Sequence, residues 1–180
     1  MLRSRRLLLR PLHESDINLT YLAWLNDPEV NCYLETRFVP QSLELIQAYW
    51  HDHRDNPNSP WFAIQVADNG PHIGNIKLGP INWVHRRADI SLFIGDRNFW
   101  GKGFATEAIL LISEWAFHDL DLYKLSCGIY SENIGSRRAF EKAGFELEGI
   151  LKEELFFRGR RVDALKMGIC RSSQKNSIID

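Results

Sequence analysis

The sequence predicts a single α/β domain in which about four helices flank a mixed, mostly antiparallel sheet of about seven strands. Seven short apolar runs have the length of strands, and four longer segments repeat their apolar residues at helical spacing. One of the strands leads through closely spaced glycines directly into a helix. With 180 residues, of which 44% are hydrophobic, the chain suits one domain with a substantial core. We assign residues 1–171 to this domain and residues 172–180 to a polar tail.

The strands are predicted at residues 6–12, 61–67, 72–78, 89–94, 124–129, 146–157 and 160–169. Pro11 favours a position at the sheet edge for the first of them, because proline cannot donate a ladder hydrogen bond. The short connections at 68–71 and 158–159 contain glycine and predict two hairpins. Since hairpins join antiparallel strands, most of the sheet is expected to be antiparallel.

The helices are predicted at about residues 15–25, 42–54, 103–118 and 134–143. Ser15 or Asp16 can cap the first helix, and Ser42 can cap the second. Gly144 follows the last helix, in the position where glycine ends helices. Residues 29–40, between the first two helices, have no clear period and predict a polar and aromatic loop of the kind that often carries specificity.

Composition excludes several classes of function. A net charge of −1 and a pI near 6.6 argue against a general nucleic-acid or membrane binder. Three cysteines without metal-type spacing indicate neither a disulfide framework nor a zinc site. Residues 1–10 lack the apolar core of a signal peptide, and no run approaches the roughly 18 residues of a membrane span. We therefore expect a cytoplasmic protein without a bound metal.

The strand at 89–94 is followed by a turn and then by Gly101, Lys102 and Gly103, where a helix begins. Such a junction gathers unpaired backbone N–H groups at the positive end of a helix dipole, and it suits an anion such as phosphate. A nucleotide-binding Walker loop does not fit, because Lys102 stands between the glycines. A dinucleotide fingerprint does not fit either, since Thr106 occupies the place of its third glycine. A simple tight turn is the alternative reading.

The segment NFWGKGFATEA, residues 98–108, resembles the acetyl-CoA loop of the GNAT acetyltransferases, in particular the branch with the ribosomal-protein N-terminal acetyltransferases. The first position of that motif is usually Arg or Gln, but here it is Asn98, with Arg97 before it. The resemblance implies that the cofactor contacts Arg97, Asn98, Trp100, Gly101, Lys102, Gly103, Phe104, Ala105 and Thr106, and it leaves open whether Arg97 or Asn98 flanks the diphosphate. It also implies that the pantetheine arm pairs with the preceding strand, at Leu92, Phe93 and Ile94.

The segment NIGSRRAFEKAGF, residues 133–145, resembles the second signature of the same family, so that the resemblance covers about residues 5–170. It implies that Asn133 contacts the cofactor near its pantetheine arm, with Ser136 and Arg137 close by. Many members carry a tyrosine acid seven residues after the asparagine, but here that residue is Phe140, which cannot donate a proton. In the branch named above a serine is the proposed acid, which corresponds to Ser136. When this resemblance is set aside, the sequence predicts only that Asn133 caps the helix that follows it.

Acetyl transfer to an amine also needs a base, because the attacking nitrogen must be neutral. Glu35 in the polar loop, Asp89 on the central strand, His72 and His85 are the candidates, and the sequence does not choose between them. Asp89 can instead form an ion pair with a neighbouring arginine. Transfer through an acetylated cysteine is disfavoured, because Cys127 lies in an apolar strand where a thiol stays protonated.

The resemblance therefore implies an acetyl-CoA-dependent N-acetyltransferase that acts by direct attack in a ternary complex, as a monomer or homodimer. Its acceptor is expected to be the N-terminal amine of a protein or a small-molecule amine. Amino sugars on nucleotides, antibiotics and polyamines are alternative acceptors within the same family. A non-catalytic acyl-CoA sensor is an alternative of another class, because Phe140 occupies the tyrosine position.

Overall fold

One eight-stranded sheet runs through the domain, and the computed structural model describes it over residues 1–67 and 69–173. Asp68 of the predicted hairpin turn and residues 174–180 of the predicted tail lie outside the described residues. The strands are β1 (Leu2–Arg3), β2 (Leu7–Pro11), β3 (Trp61–Val66), β4 (His72–Leu78), β5 (Arg87–Ile94), β6 (Lys124–Tyr130), β7 (Glu146–Phe157) and β8 (Arg160–Cys170).

The strands lie in the order β1-β2-β3-β4-β5-β6-β8-β7. Neighbouring strands are antiparallel throughout this order, except that β5 and β6 are parallel. The predicted mixed, mostly antiparallel sheet is therefore confirmed. The additional strand is β1, whose two residues are too few to produce an apolar pattern. Because β2 pairs with both β1 and β3, the prediction that it forms the sheet edge was wrong.

The helices are α1 (Leu19–Asn26), α2 (Pro28–Asn31), α3 (Leu43–His53), α4 (Phe104–His118) and α5 (Ile134–Lys142). Asn18, rather than Ser15 or Asp16, caps α1 by accepting from the N–H groups of Thr20 and Tyr21. The one-turn helix α2 was not predicted; it starts at Pro28 because Asp27 caps it and proline suits the first helical position. A short 3₁₀ helix at Glu35–Phe38 completes the loop between α2 and α3.

Two apolar layers hold the helices on opposite faces of the sheet. On one face, α4 and α5 pack over the strands, and Ile109, Ile112 and Phe140 are almost completely buried. Burial of each such side chain contributes roughly 1.5–3 kcal/mol. On the other face, α1 and α3 bury Trp24 and Trp50. These layers fix the two strands and two helix starts that form the site described next.

Candidate functional site

The parallel strands β5 and β6 separate after only three residue pairs. Their ladder joins Arg87 to Lys124, Ala88 to Leu125 and Asp89 to Ser126, although both strands continue beyond these pairs. Five residues of β5 and four of β6 therefore face a gap instead of each other. A strand edge without a partner exposes N–H and C=O groups that can pair with an extended ligand.

The register with β4 decides which backbone groups of β5 face this gap. Gly95 donates its N–H to Ile73, so residues 91, 93 and 95 direct their backbone groups toward β4. Leu92 and Ile94 direct theirs into the gap, where the C=O of Ile94 accepts from the indole N–H of Trp100 at 2.7 Å. Both backbone groups of Phe93 therefore point toward β4. Of the three residues predicted to contact the pantetheine arm, Phe93 is the one without a backbone group in the gap. Its side chain packs against the α1 layer instead.

The glycine loop lies at the open end of the gap and begins α4. Gly101 and Gly103 have φ values of 70° and 83°, a left-handed conformation that glycine adopts without strain. Gly103 is the N-cap residue of α4, and no side chain caps the helix. The first N–H groups of α4, at Phe104, Ala105 and Thr106, have no intrahelical acceptor. Together with the exposed Lys102, they form an electropositive site for an anion.

Space is available where this anion would sit. A Cβ atom built on Gly101 meets no atom within 4 Å, so the surface beside the loop is open. The residues before the loop are fixed by local contacts: Asp96 accepts from the N–H of Asn98 at 2.9 Å, and Arg97 lies 3.6 Å from Asp27 at the start of α2. Arg97 is thus the residue that joins the loop to α2, while the side chain of Asn98 is exposed.

The second predicted motif forms the start of α5. Asn133 caps α5, since its Oδ1 accepts from the N–H of Ser136 at 3.0 Å. The Ser136 hydroxyl is half-buried and has no hydrogen-bond partner within the described part of the chain. Arg137 forms an ion pair with Glu141 one turn later. Phe140 is 2% exposed and packs edge-to-face on Phe145.

Two of the predicted carboxylates lie on the face of the sheet opposite α4. Asp89 stands at the end of the paired part of β5, and its oxygens are 3.3 and 3.4 Å from the Lys166 ammonium. The ion pair expected with a neighbouring arginine is therefore made with Lys166. Glu35 accepts from the Tyr130 hydroxyl at 2.6 Å, and its side chain is 73% exposed. One oxygen of Glu35 thus remains available to a ligand.

Arg37 and Tyr33 fix the surroundings of Glu35. Arg37 donates to the Tyr130 hydroxyl at 2.8 Å and to the Phe156 carbonyl at 2.9 Å, which ties the loop to the last hairpin. The ring of Tyr33 stacks on Phe157 at 4.9 Å. The pKa of Tyr130 is raised, first by burial and then by its bond to Glu35, so the phenol remains a proton donor to this carboxylate.

The two candidate histidines lie away from the gap. His72 packs against Trp24, with 5.2 Å between ring centroids and its side chain 13% exposed, and its Nε2 is 2.7 Å from the Asn75 amide. Burial lowers the pKa of His72, which therefore stays neutral near pH 7. His85 lies in the turn before β5, at the opposite end of the strand from the glycine loop. Cys127 is 1% exposed, and burial raises the pKa of its thiol to about 12.

The sequence assigned no role to four site residues: Tyr130, Arg37, Arg6 and Glu107, the last of which lies within the motif at 98–108. Their partners lie far away along the chain, and only the apolar pattern around Tyr130 and the acidic residue in the first turn of α4 gave any signal. Among the described residues, no group of three His, Cys, Asp or Glu side chains could hold a metal ion. No helix within residues 1–67 and 69–173 has the length and hydropathy needed to cross a bilayer.

Comparison with known proteins agrees with this geometry. A family model described as an acetyltransferase (GNAT) domain matches residues 6–146. The spermidine N(1)-acetyltransferase of Escherichia coli K12 is 32% identical over 162 residues, which cover 89% of this chain and 80% of that protein. An uncharacterized N-acetyltransferase of Bacillus licheniformis, p20, is 30% identical over 173 residues, covering 94% of this chain and 96% of that protein.

A solved structure also superposes closely. The spermidine N-acetyltransferase of Vibrio cholerae, crystallised in complex with CoA and spermine, has a TM-score of 0.83 and 28% sequence identity to this chain. The match covers 93% of this chain and 97% of the Vibrio chain. The two chains therefore share the same overall fold.

Proposed function

Because the chain belongs to the GNAT acetyltransferase family, we propose that it acetylates the primary amine of a small molecule by direct attack in a ternary complex. As a member of this family, it is an acyltransferase that uses acetyl-CoA as co-substrate. The observation that carries the proposal is the gap between β5 and β6 beyond Asp89 and Ser126, with an anion site at its open end.

The anion site suits the diphosphate of the cofactor. Backbone N–H groups at the start of α4 would bind its oxygens, and the Lys102 ammonium would add a point charge. The pantetheine arm would then lie in the gap as an additional strand, with Leu92 and the N–H of Ile94 as its backbone partners. This arrangement would hold the thioester close to the end of the paired ladder, next to the face that carries Asp89.

The acceptor class is a proposal that rests on two kinds of support. The relatives from Escherichia coli and Vibrio cholerae reported above are spermidine acetyltransferases, whose acceptor is a small polyamine. In this chain Glu35 offers one free oxygen next to Tyr130, while Arg37 lies 3.9 Å from its other oxygen, and a carboxylate beside an aromatic ring suits an ammonium group. We therefore propose a small amine of the polyamine class as acceptor. Arg37 lies 4.9 Å from the Tyr130 ring centroid and already covers part of this site.

The peptide N-terminal amine implied by the ribosomal-protein branch is the second candidate, and the tryptophan before the glycine loop favours it. Trp100 is part of the motif that led to this branch, and it is 41% exposed at the mouth of the gap. The branch assignment stays a prediction, because the matched relatives with a named acceptor acetylate spermidine.

Starting from an ammonium, the reaction needs three proton transfers: one from the amine before attack, one from the nitrogen after attack, and one to the departing thiolate. We propose that Asp89 removes a proton from the acceptor ammonium through a water molecule, while Glu35 binds and orients the amine. The neutral nitrogen attacks the thioester carbonyl, the carbon–sulfur bond breaks, and the Ser136 hydroxyl gives its proton to the departing thiolate. The surplus proton of the acylated nitrogen then passes through water to the Ser136 oxygen, which restores the hydroxyl. Holding amine and thioester together removes an entropic barrier of roughly 7–11 kcal/mol in favourable cases.

Release of free thiol from acetyl-CoA tests the proposal directly. Spermidine, spermine, a peptide with a free N-terminus, an amino sugar on a nucleotide and an aminoglycoside would each be supplied as acceptor. We expect amine-dependent thiol release with the polyamines and none without an amine. Turnover with the peptide alone would support a peptide N-terminal amine as the acceptor. Turnover with only the amino sugar or the aminoglycoside would instead identify that compound class as the acceptor. Tight CoA binding without turnover on any amine would instead identify a sensor.

A further inference from the structure

We propose that Arg6 positions the diphosphate-binding loop, although it precedes that loop by almost a hundred residues. The proposal rests on the assignment of the glycine loop to the cofactor's diphosphate. Arg6 lies between β1 and β2, beside the first turn of α4. It does not belong to either motif that led to the family.

Arg6 contacts the loop and the helix at three points. Its Nε donates to Glu107 Oε2 at 2.7 Å, and its Nη2 lies 2.5 Å from the same oxygen. Its Nη1 donates to the backbone carbonyl of Lys102 at 3.1 Å. The guanidinium also lies over the Phe104 ring, 4.6 Å from the centroid. The planar guanidinium therefore bridges the loop to α4 in a way that a lysine cannot reproduce.

The bond to the Lys102 carbonyl controls where the next N–H points. In a trans peptide unit the C=O of one residue and the N–H of the following residue point in opposite directions. With the Lys102 carbonyl directed toward Arg6, the N–H of Gly103 is directed away from Arg6. A backbone amide is thereby kept ready for the phosphate before the cofactor arrives, which reduces the ordering cost of binding.

Arg6 also compensates a charge that opposes the cofactor. Glu107 stands in the first turn of α4 and would repel the diphosphate if its charge were uncompensated. Its Oε1 accepts from the Ser4 hydroxyl at 2.7 Å and from the Arg6 N–H at 3.2 Å, while Oε2 binds the guanidinium. The side chain of Glu107 is only 16% exposed, so solvent screens this charge weakly.

The test compares two cofactors that differ in the diphosphate. CoA binding is measured by calorimetry, and KM is measured for acetyl-CoA and for S-acetylpantetheine, which has no diphosphate. We expect Arg6→Met to raise the Kd for CoA about tenfold, as loss of a charge-assisted contact at a partly exposed site predicts. The KM for S-acetylpantetheine should stay at the parental value. Arg6→Lys should give an intermediate Kd, because lysine keeps the positive charge but lacks the planar set of N–H donors of the guanidinium.

Two further variants make the outcome decisive. Glu107→Gln in the Arg6→Met background should recover part of the lost CoA affinity, because the repelling charge is removed. Arg86→Met is the matched control: Arg86 is similarly exposed and pairs with Asp121 at the other end of the sheet, so its loss should leave the Kd unchanged.

Parental CoA affinity in Arg6→Met and Arg6→Lys would overturn the proposal, as would equal losses with CoA and S-acetylpantetheine. Should Arg6→Met not fold, the Arg6→Lys variant decides by the same comparison. A parent protein that binds no CoA would overturn the cofactor assignment of the loop itself, a result distinct from parental affinity in the variants.

Discussion

Asp89 of β5 and Ser126 of β6 are the last residues that the parallel ladder joins, and the two strands separate immediately beyond them. Asp89 also marks the point where the backbone of β5 changes from binding a strand to facing open space. A carboxylate at such a point can reach a group held in the gap while it stays partly exposed to water. In the proposed arrangement of the cofactor, the thioester would lie beside this candidate base.

Gly101 should tolerate a methyl group but not a charge. Gly101→Ala introduces strain of about 1–2 kcal/mol, because φ is 70°, yet a Cβ meets no atom within 4 Å. Gly101→Asp has the same strain and adds a negative charge at the proposed diphosphate site. We expect calorimetry to detect CoA binding in the alanine variant and none in the aspartate variant. Gly103→Asp should also abolish binding. Unchanged CoA affinity in both aspartate variants would refute the diphosphate assignment.

Ser136→Ala should lower turnover without weakening cofactor binding. The Ser136 hydroxyl makes no hydrogen bond in the described residues, whereas its N–H is capped by Asn133, so the substitution leaves the cap intact. Loss of a general acid predicts a kcat lower by about 100-fold or more. The Kd for CoA should remain at the parental value. Ser42→Ala, which removes the hydroxyl cap of α3, serves as the control and should keep the parental kcat. A parental kcat in Ser136→Ala would remove this residue as the acid.

Glu35→Gln should weaken acceptor binding specifically. The amide oxygen can still accept from Tyr130, but the charge that attracts an ammonium group is lost. Because the side chain is largely exposed, solvent screening limits the effect to about a three- to tenfold increase in KM for the amine. Added salt should raise the parental KM and narrow the difference between the two proteins. Tyr130→Phe keeps the charge and should have the smaller effect. The same KM for parent and Glu35→Gln at low salt would contradict this role.

The sequence predicted those parts of the fold whose cause is local. Ser42 caps α3, and Gly101 and Gly103 adopt positive φ at the predicted loop, because capping and left-handed backbone depend on residue type and near neighbours. The glycine loop was found for this reason. Short elements such as β1 and α2 were missed, because two or four residues contain no measurable period.

The rest of the site depends on contacts between distant residues. Glu35 and Tyr130 are 95 positions apart, and Arg6 and Glu107 are 101 apart. No local pattern distinguishes Arg6 from the other arginines near the N-terminus. The gap itself follows from the register of β5 against β6 and from their divergence, neither of which the apolar runs encode. The assignment of Leu92 rather than Phe93 to the gap needed this register as well.

Cys127 should be dispensable for catalysis. Its thiol is 1% exposed, and burial raises its pKa to about 12, so almost no thiolate forms at pH 8. We expect Cys127→Ala to keep kcat within about twofold of the parent, since direct attack needs no acetylated cysteine. Iodoacetamide under native conditions should leave Cys127 unlabelled in peptide mass spectrometry. A loss of turnover far beyond the loss of folded protein would favour an acetyl-enzyme.

His72 should make the stability of the protein fall in mild acid. Burial lowers the pKa of the folded state, whereas the unfolded chain binds a proton near pH 6.5. The unfolded state therefore binds more protons below this pH, and the stabilisation by neutral His72 is lost as the pH falls through the folded-state pKa. Asp16, 3.9 Å from Nδ1, limits this effect because it favours the charged imidazole.

Urea unfolding at pH 7.5, 6.5 and 5.5 measures this dependence. We expect the parent to lose free energy of unfolding across this range and His72→Gln to lose less of it, even though the variant starts from a lower stability. His85→Gln is the matched control, because His85 lies in an exposed turn, and it should show the parental slope. Identical slopes for the parent and His72→Gln would mean that His72 takes up its proton equally in both states. The contact of the partly buried His72 with Trp24, which packs on Gly95 at the start of the loop, would then not exclude the charged ring.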